Sequence, residues 1–244
     1  MSELTANNYQ KGDHFPARAD PNILRVYYNQ PCPFSERVRL VLTAKGIEHE
    51  KIAIKLRSKP EWFQSVNPSG KIPVIEFGAD NRRLTESLVI ADYLEAAFPD
   101  TRRLQPDDPY ERANDRVFIE ILLAAIFKIP FIYTVENLSE NWSQIAATLK
   151  PVDILVAERR GNNKFLSGAG NVPNLVDYAV WPFIKAVPQI ADIAGYDSDD
   201  YLRQELPAIH DYMGCMSSDP TVLQTEVIED NECCVRRRHG FAKK

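Results

Sequence analysis

Apolar and polar positions in the first hundred residues alternate between the spacing of strands and that of helices. The run 23–28 is rich in β-branched and aromatic side chains and predicts a strand. The apolar positions that follow have the spacing of an amphipathic helix: Phe34, Val38, Val41 and Leu42. A second strand is predicted at 49–54, and a short helical turn is predicted near 60–63.

The next segment predicts a β-hairpin that leads into another helix. Two strand-like runs, 73–77 and 82–85, are separated by the turn residues Gly78, Ala79, Asp80 and Asn81. A helical stripe follows and ends at Pro99; its apolar members are Ile90, Ala91, Leu94 and Phe98. The order βαβ and then ββα predicts an α/β domain, a small mixed sheet with helices on its faces.

Strand signals end at the segment 100–109, whose prolines and acidic residues predict a linker. The remaining pattern is helical, so we expect an all-α domain. The predicted helices are 110–136 with a kink at Pro130, 142–160, 174–190 and 200–216. Pro182 and Pro188 lie within 174–190 and predict that this helix is either kinked or ends early. The predicted organisation is an extension at 1–20, an α/β domain at 21–99, the linker, an all-helical domain at 110–221 and a tail at 222–244.

Composition and charge exclude several classes of protein. The chain has 244 residues and a net charge of −5, which gives no reason to expect a nucleic-acid partner. Its most apolar stretch, Ile121 to Phe127, is far too short to span a bilayer. The first twenty residues lack the apolar core of a signal peptide, so we expect a cytoplasmic protein. The four cysteines and four histidines have no metal-site spacing, and no metal is expected.

Cys32 is the strongest candidate for a catalytic residue. It lies between the first strand and the first helix, with Pro33 suited to the first helical position. A thiol there meets unpaired backbone N–H groups and the positive end of the helix dipole, which favour the nucleophilic thiolate. The other reading is a buried structural cysteine. Because Ser35 stands where a dithiol motif has its second cysteine, the expected chemistry uses one protein thiol and a soluble second thiol.

Two backbone features are candidates for ligand binding. The Ile72-Pro73 bond precedes a strand, where a cis peptide would leave the Ile72 N–H and C=O free for an extended peptide; an ordinary trans edge proline is the alternative. Glu86 and Ser87 stand where the hairpin meets a helix and predict an anion site beside an acceptor for an ammonium group. A plain helix start with Ser87 as its cap is the other reading.

These residues together resemble a known family. The motifs Cys32-Pro33-Phe34-Ser35, Lys59-Pro60-Glu61-Trp62, Asn67-Pro68, Ile72-Pro73-Val74 and Glu86-Ser87 are similar, in this order, to those of omega-class glutathione transferases. The runs 104–111 and 177–182 also resemble that class. The resemblance implies a thioredoxin-like domain followed by an all-helical domain, a cytosolic homodimer, and glutathione-dependent thiol transfer or dehydroascorbate-type reduction.

The resemblance also implies a role for each matching residue. Cys32 would form a mixed disulfide with glutathione, and Phe34 would line its turn. Ile72 would pair its backbone with the cysteinyl part of the tripeptide, before a cis Pro73. Glu86 and Ser87 would hold the γ-glutamyl end, and Lys59, which is otherwise an ordinary surface lysine, would meet the glycyl carboxylate.

Two other functions share this pattern. Intracellular chloride channels have a similar Cys-Pro-Phe-Ser turn and insert into membranes, but the segment 23–47 carries five charged residues that would be costly in hydrocarbon: Arg25, Glu36, Arg37, Arg39 and Lys45. A ligand carrier that has lost turnover is the second alternative. The sequence departs from the resembled class after Pro220, where Phe241 is the sole aromatic residue to cover a second-substrate pocket.

Overall fold

The structure, a computed structural model, describes residues 8–18, 20–129, 137–168 and 171–225. The chain divides into two compact units, Met1–Arg102 and Arg103–Lys244, and the division falls within the predicted linker 100–109. Pro130, at which a kink was predicted, lies outside the described residues, as does the tail pair Cys233-Cys234.

The first unit is an α/β domain, as predicted. Its elements are β1 (Asn8–Tyr9), β2 (Leu24–Tyr28), α1 (Pro33–Lys45), β3 (His49–Ile54), a one-turn 3₁₀ helix (Leu56–Ser58), α2 (Phe63–Val66), β4 (Val74–Phe77), β5 (Arg82–Thr85) and α3 (Ser87–Ala97). Within the described residues the strands form one mixed sheet in the order β1-β3-β2-β4-β5. Strands β1, β3 and β2 are parallel, and β4 and β5 are antiparallel to their neighbours.

The central strand and the first helix have the termini that their residues favour. Every residue of β2 is buried, as expected for a strand covered on both faces. Helix α1 has Pro33 at its start, where a missing N–H costs no hydrogen bond. It ends at Gly46, whose φ of 64° is the left-handed geometry of a helix C-cap.

One strand of this unit was not predicted. Residues 1–20 were expected to be an irregular extension, but Asn8 and Tyr9 pair in parallel with Ala53 and Ile54. Two residues are too few to show strand periodicity, so pairing with β3 alone defines the element.

The second unit is helical, as predicted. Its described helices are α4 (Pro109–Ile126), α5 (Trp142–Arg160), α6 (Leu175–Ile184), α7 (Val187–Ile193), α8 (Ser198–Glu205), α9 (Pro207–Ser217) and α10 (Pro220–Thr225). The bounds of α5 confirm the prediction for 142–160. No helix among the described residues is long and apolar enough to cross a membrane.

Two predicted helices are each divided in the structure. The helix expected at 174–190 is α6 followed by α7, with Pro188 near the α7 start, where it lacks the N–H needed inside a helix. The helix expected at 200–216 breaks at Leu206, whose φ of −136° and ψ of 56° are not helical, because the following Pro207 disfavours the helical conformation. Apolar spacing continues through this break and therefore hid it, whereas the break within 174–190 agrees with the kink or early end predicted from its prolines.

Helix α6 begins with a side-chain cap. Asn174 and Asp177 form a reciprocal capping box, with the Asp177 carboxylate accepting from the Asn174 N–H at 3.0 Å. The same carboxylate accepts from the Leu166 N–H at 2.8 Å. Burial raises the pKa of Asp177 to about 6.

Candidate active site

The Cys32 turn begins where β2 ends. The Cys32 N–H donates to the Asn29 carbonyl at 3.1 Å, and the Cys32 carbonyl accepts from the Glu36 N–H at 2.9 Å. Cys32 is therefore the N-cap residue of α1, with extended backbone angles and no hydrogen bond from its side chain to the helix. The side chain is half-buried, so the thiol is not enclosed in the core. This position has the strand-to-helix geometry that the sequence predicted.

Ser35 and Asn29 hold this turn in place. The buried Ser35 hydroxyl accepts from the Asn29 N–H at 3.3 Å, and the Asn29 side-chain amide donates to the Ile54 carbonyl at 2.9 Å. These bonds join the Cys32 turn to the end of β3. Sequence reasoning considered Ser35 merely as the place of an absent second thiol and missed both contacts.

Strand register brings the other candidates to the same edge of the sheet. Val74, the first residue of β4, pairs with Tyr27 on one side and with Thr85 on the other. Ile72, just before Val74, therefore lies beside the turn that follows β2. Glu86, just after Thr85, lies on the other side of Ile72. The Ile72-Pro73 peptide bond is cis.

Ile72 stands before the first paired residue of β4, so its backbone lies outside the β2–β4 ladder. Its side chain is half-buried against a core cluster that includes Tyr27 and Phe63. The loop that leads to it is held by Asn67, whose amide donates to the Lys71 carbonyl at 2.8 Å and whose oxygen accepts from the Ser69 N–H at 3.1 Å. This fixed loop presents the Ile72 backbone at the sheet edge.

Glu86 has an unusual backbone conformation. Its φ of 65° and ψ of 110° are sparsely populated for a residue with a side chain, and such strain is concentrated at functional sites. Glu86 is exposed and is the N-cap residue of α3, with its carbonyl accepting from the Ile90 N–H at 2.9 Å. The alternative prediction, that Ser87 is the cap, is therefore wrong; Ser87 is the first helical residue.

Arg37 links the two helix starts of the site. Its Nη1 donates to the Ser87 hydroxyl at 3.1 Å, and both side chains are buried. Its guanidinium also lies 5.6 Å from the ring centre of Phe34, a half-buried residue of the first turn of α1. Sequence reasoning missed Arg37, because nothing local indicates a partner fifty residues away.

Lys59 reaches the site edge from the end of β3. It is exposed, and its Nζ lies 3.6 Å from the position that a Cβ on Gly70 would occupy. Gly70 is two residues before Ile72. One edge of the sheet thus contains the carboxyl ends of β2, β3 and β5 and the start of β4. The segments at this edge carry all six predicted residues: Cys32, Phe34, Lys59, Ile72, Glu86 and Ser87.

A hydroxyl-based alternative does not fit this geometry. Tyr27 has no exposed surface, and its hydroxyl donates to Glu76 Oε2 at 3.3 Å. Burial raises the pKa of Tyr27 to about 12. Its hydroxyl is therefore a neutral, buried core group, whereas the Cys32 thiol at this edge is half-buried.

Comparison with known proteins identifies the class. The family described as "Glutathione S-transferase, N-terminal domain" matches residues 31–97. Glutathione S-transferase omega-1 of Rattus norvegicus is 35% identical over 76% of this chain and 76% of its own. Glutathione S-transferase omega-2 of Homo sapiens is 32% identical over 91% of this chain and 88% of its own.

Solved structures agree on the fold. Glutathione transferase Omega 3C from Trametes versicolor superposes with a TM-score of 0.71 at 23% identity, covering 86% of this chain and 92% of the other. The protein is a glutathione transferase with a thioredoxin-like first domain and a helical second region. Within that family, the chain belongs to the omega class.

Proposed function

We propose that this omega-class enzyme is a glutathione-dependent thiol transferase and dehydroascorbate-type reductase that acts through a Cys32-glutathione mixed disulfide. The proposal is supported above all by the half-buried Cys32 thiol at the start of α1, on the sheet edge that also carries the Ile72 backbone, which lies outside the β2–β4 ladder. Glutathione is the co-substrate, and no metal takes part in the proposed step.

The proposed reaction has two thiol–disulfide exchanges. The Cys32 thiolate attacks the glutathione sulfur of a glutathionylated thiol, so a sulfur–sulfur bond forms at Cys32 and the substrate leaves as a thiolate. A glutathione thiolate then attacks the Cys32 mixed disulfide, which releases oxidised glutathione and restores the Cys32 thiolate. With dehydroascorbate, two glutathione molecules supply the two electrons. One of these glutathione molecules forms the same mixed disulfide with Cys32, and the second releases it as oxidised glutathione.

The residues around Cys32 have separate roles in the proposal. The Ile72 N–H and C=O pair with the cysteinyl unit of glutathione, as a strand pairs with a sheet edge. Ser87 and the backbone N–H groups at the α3 start hold the γ-glutamyl carboxylate, and Glu86 accepts from the ammonium group. Lys59 meets the glycyl carboxylate, while Phe34 covers the turn.

Intact mass spectrometry after incubation with oxidised glutathione tests the nucleophile. The wild type should gain a glutathione adduct, and Cys32→Ser should lose it together with reductase activity. Cys215→Ser is the matched control, because Cys215 is also a free, half-buried cysteine but lies in the second unit. Peptide mapping separates Cys32 from the other thiols. An adduct that survives in Cys32→Ser and disappears in Cys215→Ser would reject the mechanism.

We also propose that the enzyme is a cytoplasmic homodimer that uses one face of α4. Tyr110, Val117 and Ile121 recur at helical spacing and are 72%, 55% and 51% exposed. A second copy of the chain would remove this apolar stripe from water. Light scattering should find a dimer for the wild type and a monomer for Ile121→Glu; a trimer or monomer in the wild type would contradict the proposal.

A further inference from the structure

The N-terminal segment 9–13 is hydrogen-bonded to the segment 55–62, which carries Lys59. The Tyr9 carbonyl accepts from the Lys55 N–H at 2.9 Å, which continues the β1–β3 pairing by one residue. The Lys11 N–H then donates to the Ser58 carbonyl at 2.9 Å. The second of these bonds is formed at the residue directly before Lys59.

Two further bonds lie on the other side of Lys59. The Gly12 N–H donates to Glu61 Oε2 at 3.0 Å, and the Trp62 indole N–H donates to the Asp13 carbonyl at 3.0 Å. The Gly12 bond lowers the pKa of Glu61. Lys59 is thus bracketed by contacts with the N-terminal segment at Ser58, Glu61 and Trp62.

The N-terminal segment has its own internal order. The Gln10 N–H donates to Asp13 Oδ2 at 2.7 Å, and the Asp13 N–H donates to the Gln10 carbonyl at 3.0 Å. Gly12 has a φ of 90°, a conformation that residues with side chains rarely adopt. This closed turn can therefore act as a template for the segment that it contacts.

The segment that carries Lys59 needs such a template. It consists of a 3₁₀ helix of three residues and the turn before the four-residue α2, and elements this short have little stability of their own. No hydrogen bond or ion pair of the Lys59 ammonium is found within the described part of the chain, so the position of this side chain depends on its backbone.

We propose that the turn at 10–13 is a positioning element that sets the affinity of the site for the glycyl end of glutathione by fixing the backbone around Lys59. The inference rests on the proposed function, in which Lys59 meets the glycyl carboxylate. Glu61 is the residue through which the turn is tested, because its side chain accepts the Gly12 N–H and has no assigned role in the proposed glutathione site.

The experiment compares two ligands by isothermal titration calorimetry. Glutathione has the glycyl carboxylate, whereas γ-glutamylcysteine lacks the glycyl unit. Glu61→Ala should weaken glutathione binding about threefold to fivefold, the range of an exposed ion pair, and should leave γ-glutamylcysteine binding unchanged. Lys59→Ala should have the same selective effect, and the double variant should be no worse than Lys59→Ala alone.

Two control variants separate positioning from charge and from folding. Glu61→Gln keeps an oxygen acceptor for the Gly12 N–H and should restore wild-type affinity. Glu48→Ala removes an equal charge from another exposed position of the same unit and should change neither affinity. Removing the negative charge of Glu61 would by itself strengthen the binding of the anionic glutathione. Weaker glutathione binding in Glu61→Ala therefore cannot come from the lost charge.

Each contrary result has a distinct meaning. If Lys59→Ala weakens the binding of glutathione alone and Glu61→Ala does not weaken it, the positioning role is overturned and the proposed function stays intact. The positioning role is also overturned if Glu61→Ala weakens the binding of both ligands equally. The same holds if the losses of glutathione affinity in the two single variants add up in the double variant. If Lys59→Ala binds both ligands as the wild type does, the inference and the assigned Lys59 contact both fail. Undetectable glutathione binding by the wild type would reject the proposed function itself.

Discussion

Replacing Ser87 with alanine tests how α3 contributes to both stability and binding. The Ser87 hydroxyl accepts a hydrogen bond of 3.1 Å from the Arg37 guanidinium. Ser87 and Arg37 are 5% and 3% exposed, so water does not replace the lost acceptor easily. A hydrogen bond to a charged group contributes about 1.5–3 kcal/mol to stability. We therefore expect Ser87→Ala to lower the free energy of unfolding by about that amount.

The same substitution should weaken glutathione binding. In the proposed site, the hydroxyl also contacts the γ-glutamyl carboxylate, and one hydrogen bond to a charged ligand is again about 1.5–3 kcal/mol. This corresponds to a dissociation constant about 10-fold to 150-fold higher than that of the wild type. Urea unfolding measures the stability loss, and calorimetric titration with glutathione measures the affinity loss at a temperature where the variant is folded.

Ser65→Ala is the matched control. Its hydroxyl donates to the Trp62 carbonyl at 2.7 Å but is exposed and lies outside the proposed site. This variant should bind glutathione as the wild type does. Ser87→Ala with unchanged stability and glutathione affinity within twofold of the wild type would refute the reasoning from burial and charge. A stability loss without an affinity loss would restrict Ser87 to a structural role.

Three further predictions concern other parts of the two units. Tyr27→Phe should retain full activity and lose about 1 kcal/mol of stability, as measured by turnover and urea unfolding; loss of activity would revive a catalytic hydroxyl. Because the pKa of Tyr27 is raised from its usual 10.0 to about 12, the folded state keeps this proton at a pH where the unfolded state loses it, and the associated stability should be lost as pH rises from about 10 to about 12, which ultraviolet titration of the tyrosines can follow. Asp177→Ala leaves one buried and one part-buried N–H group without its acceptor and should cost about 2–5 kcal/mol, against about 0.5–2 kcal/mol for the exposed cap variant Asp108→Ala; equal costs would contradict the argument from burial. Asn67→Ala releases the loop before Ile72 and should raise the KM for glutathione more than it lowers kcat, whereas a selective fall in kcat would argue against a binding role for that loop.

Most elements of the fold could be predicted from the sequence because their signals are local. The strand 49–54 and the helix 142–160 have the predicted bounds, and the position of Cys32 before Pro33 is that of a helix start. Apolar spacing and proline geometry act within a few residues, so they can be recognised without knowledge of the rest of the chain. The same spacing hid the break at Leu206, because it continues across it, whereas the prolines within 174–190 indicated the break before Val187.

The tertiary structure alone decided the contacts that join distant segments. Arg37 meets Ser87 across fifty positions, and Glu61 meets Gly12 across forty-nine. Such pairs depend on strand order and register, which place the ends of four strands on one edge of the sheet. Local propensity does not indicate which segments pair, because strand pairing depends on the apolar side chains that both faces of the sheet bury. The sequence by itself therefore determined the place of Cys32 at the start of its helix, while packing of the whole first unit determined what surrounds it.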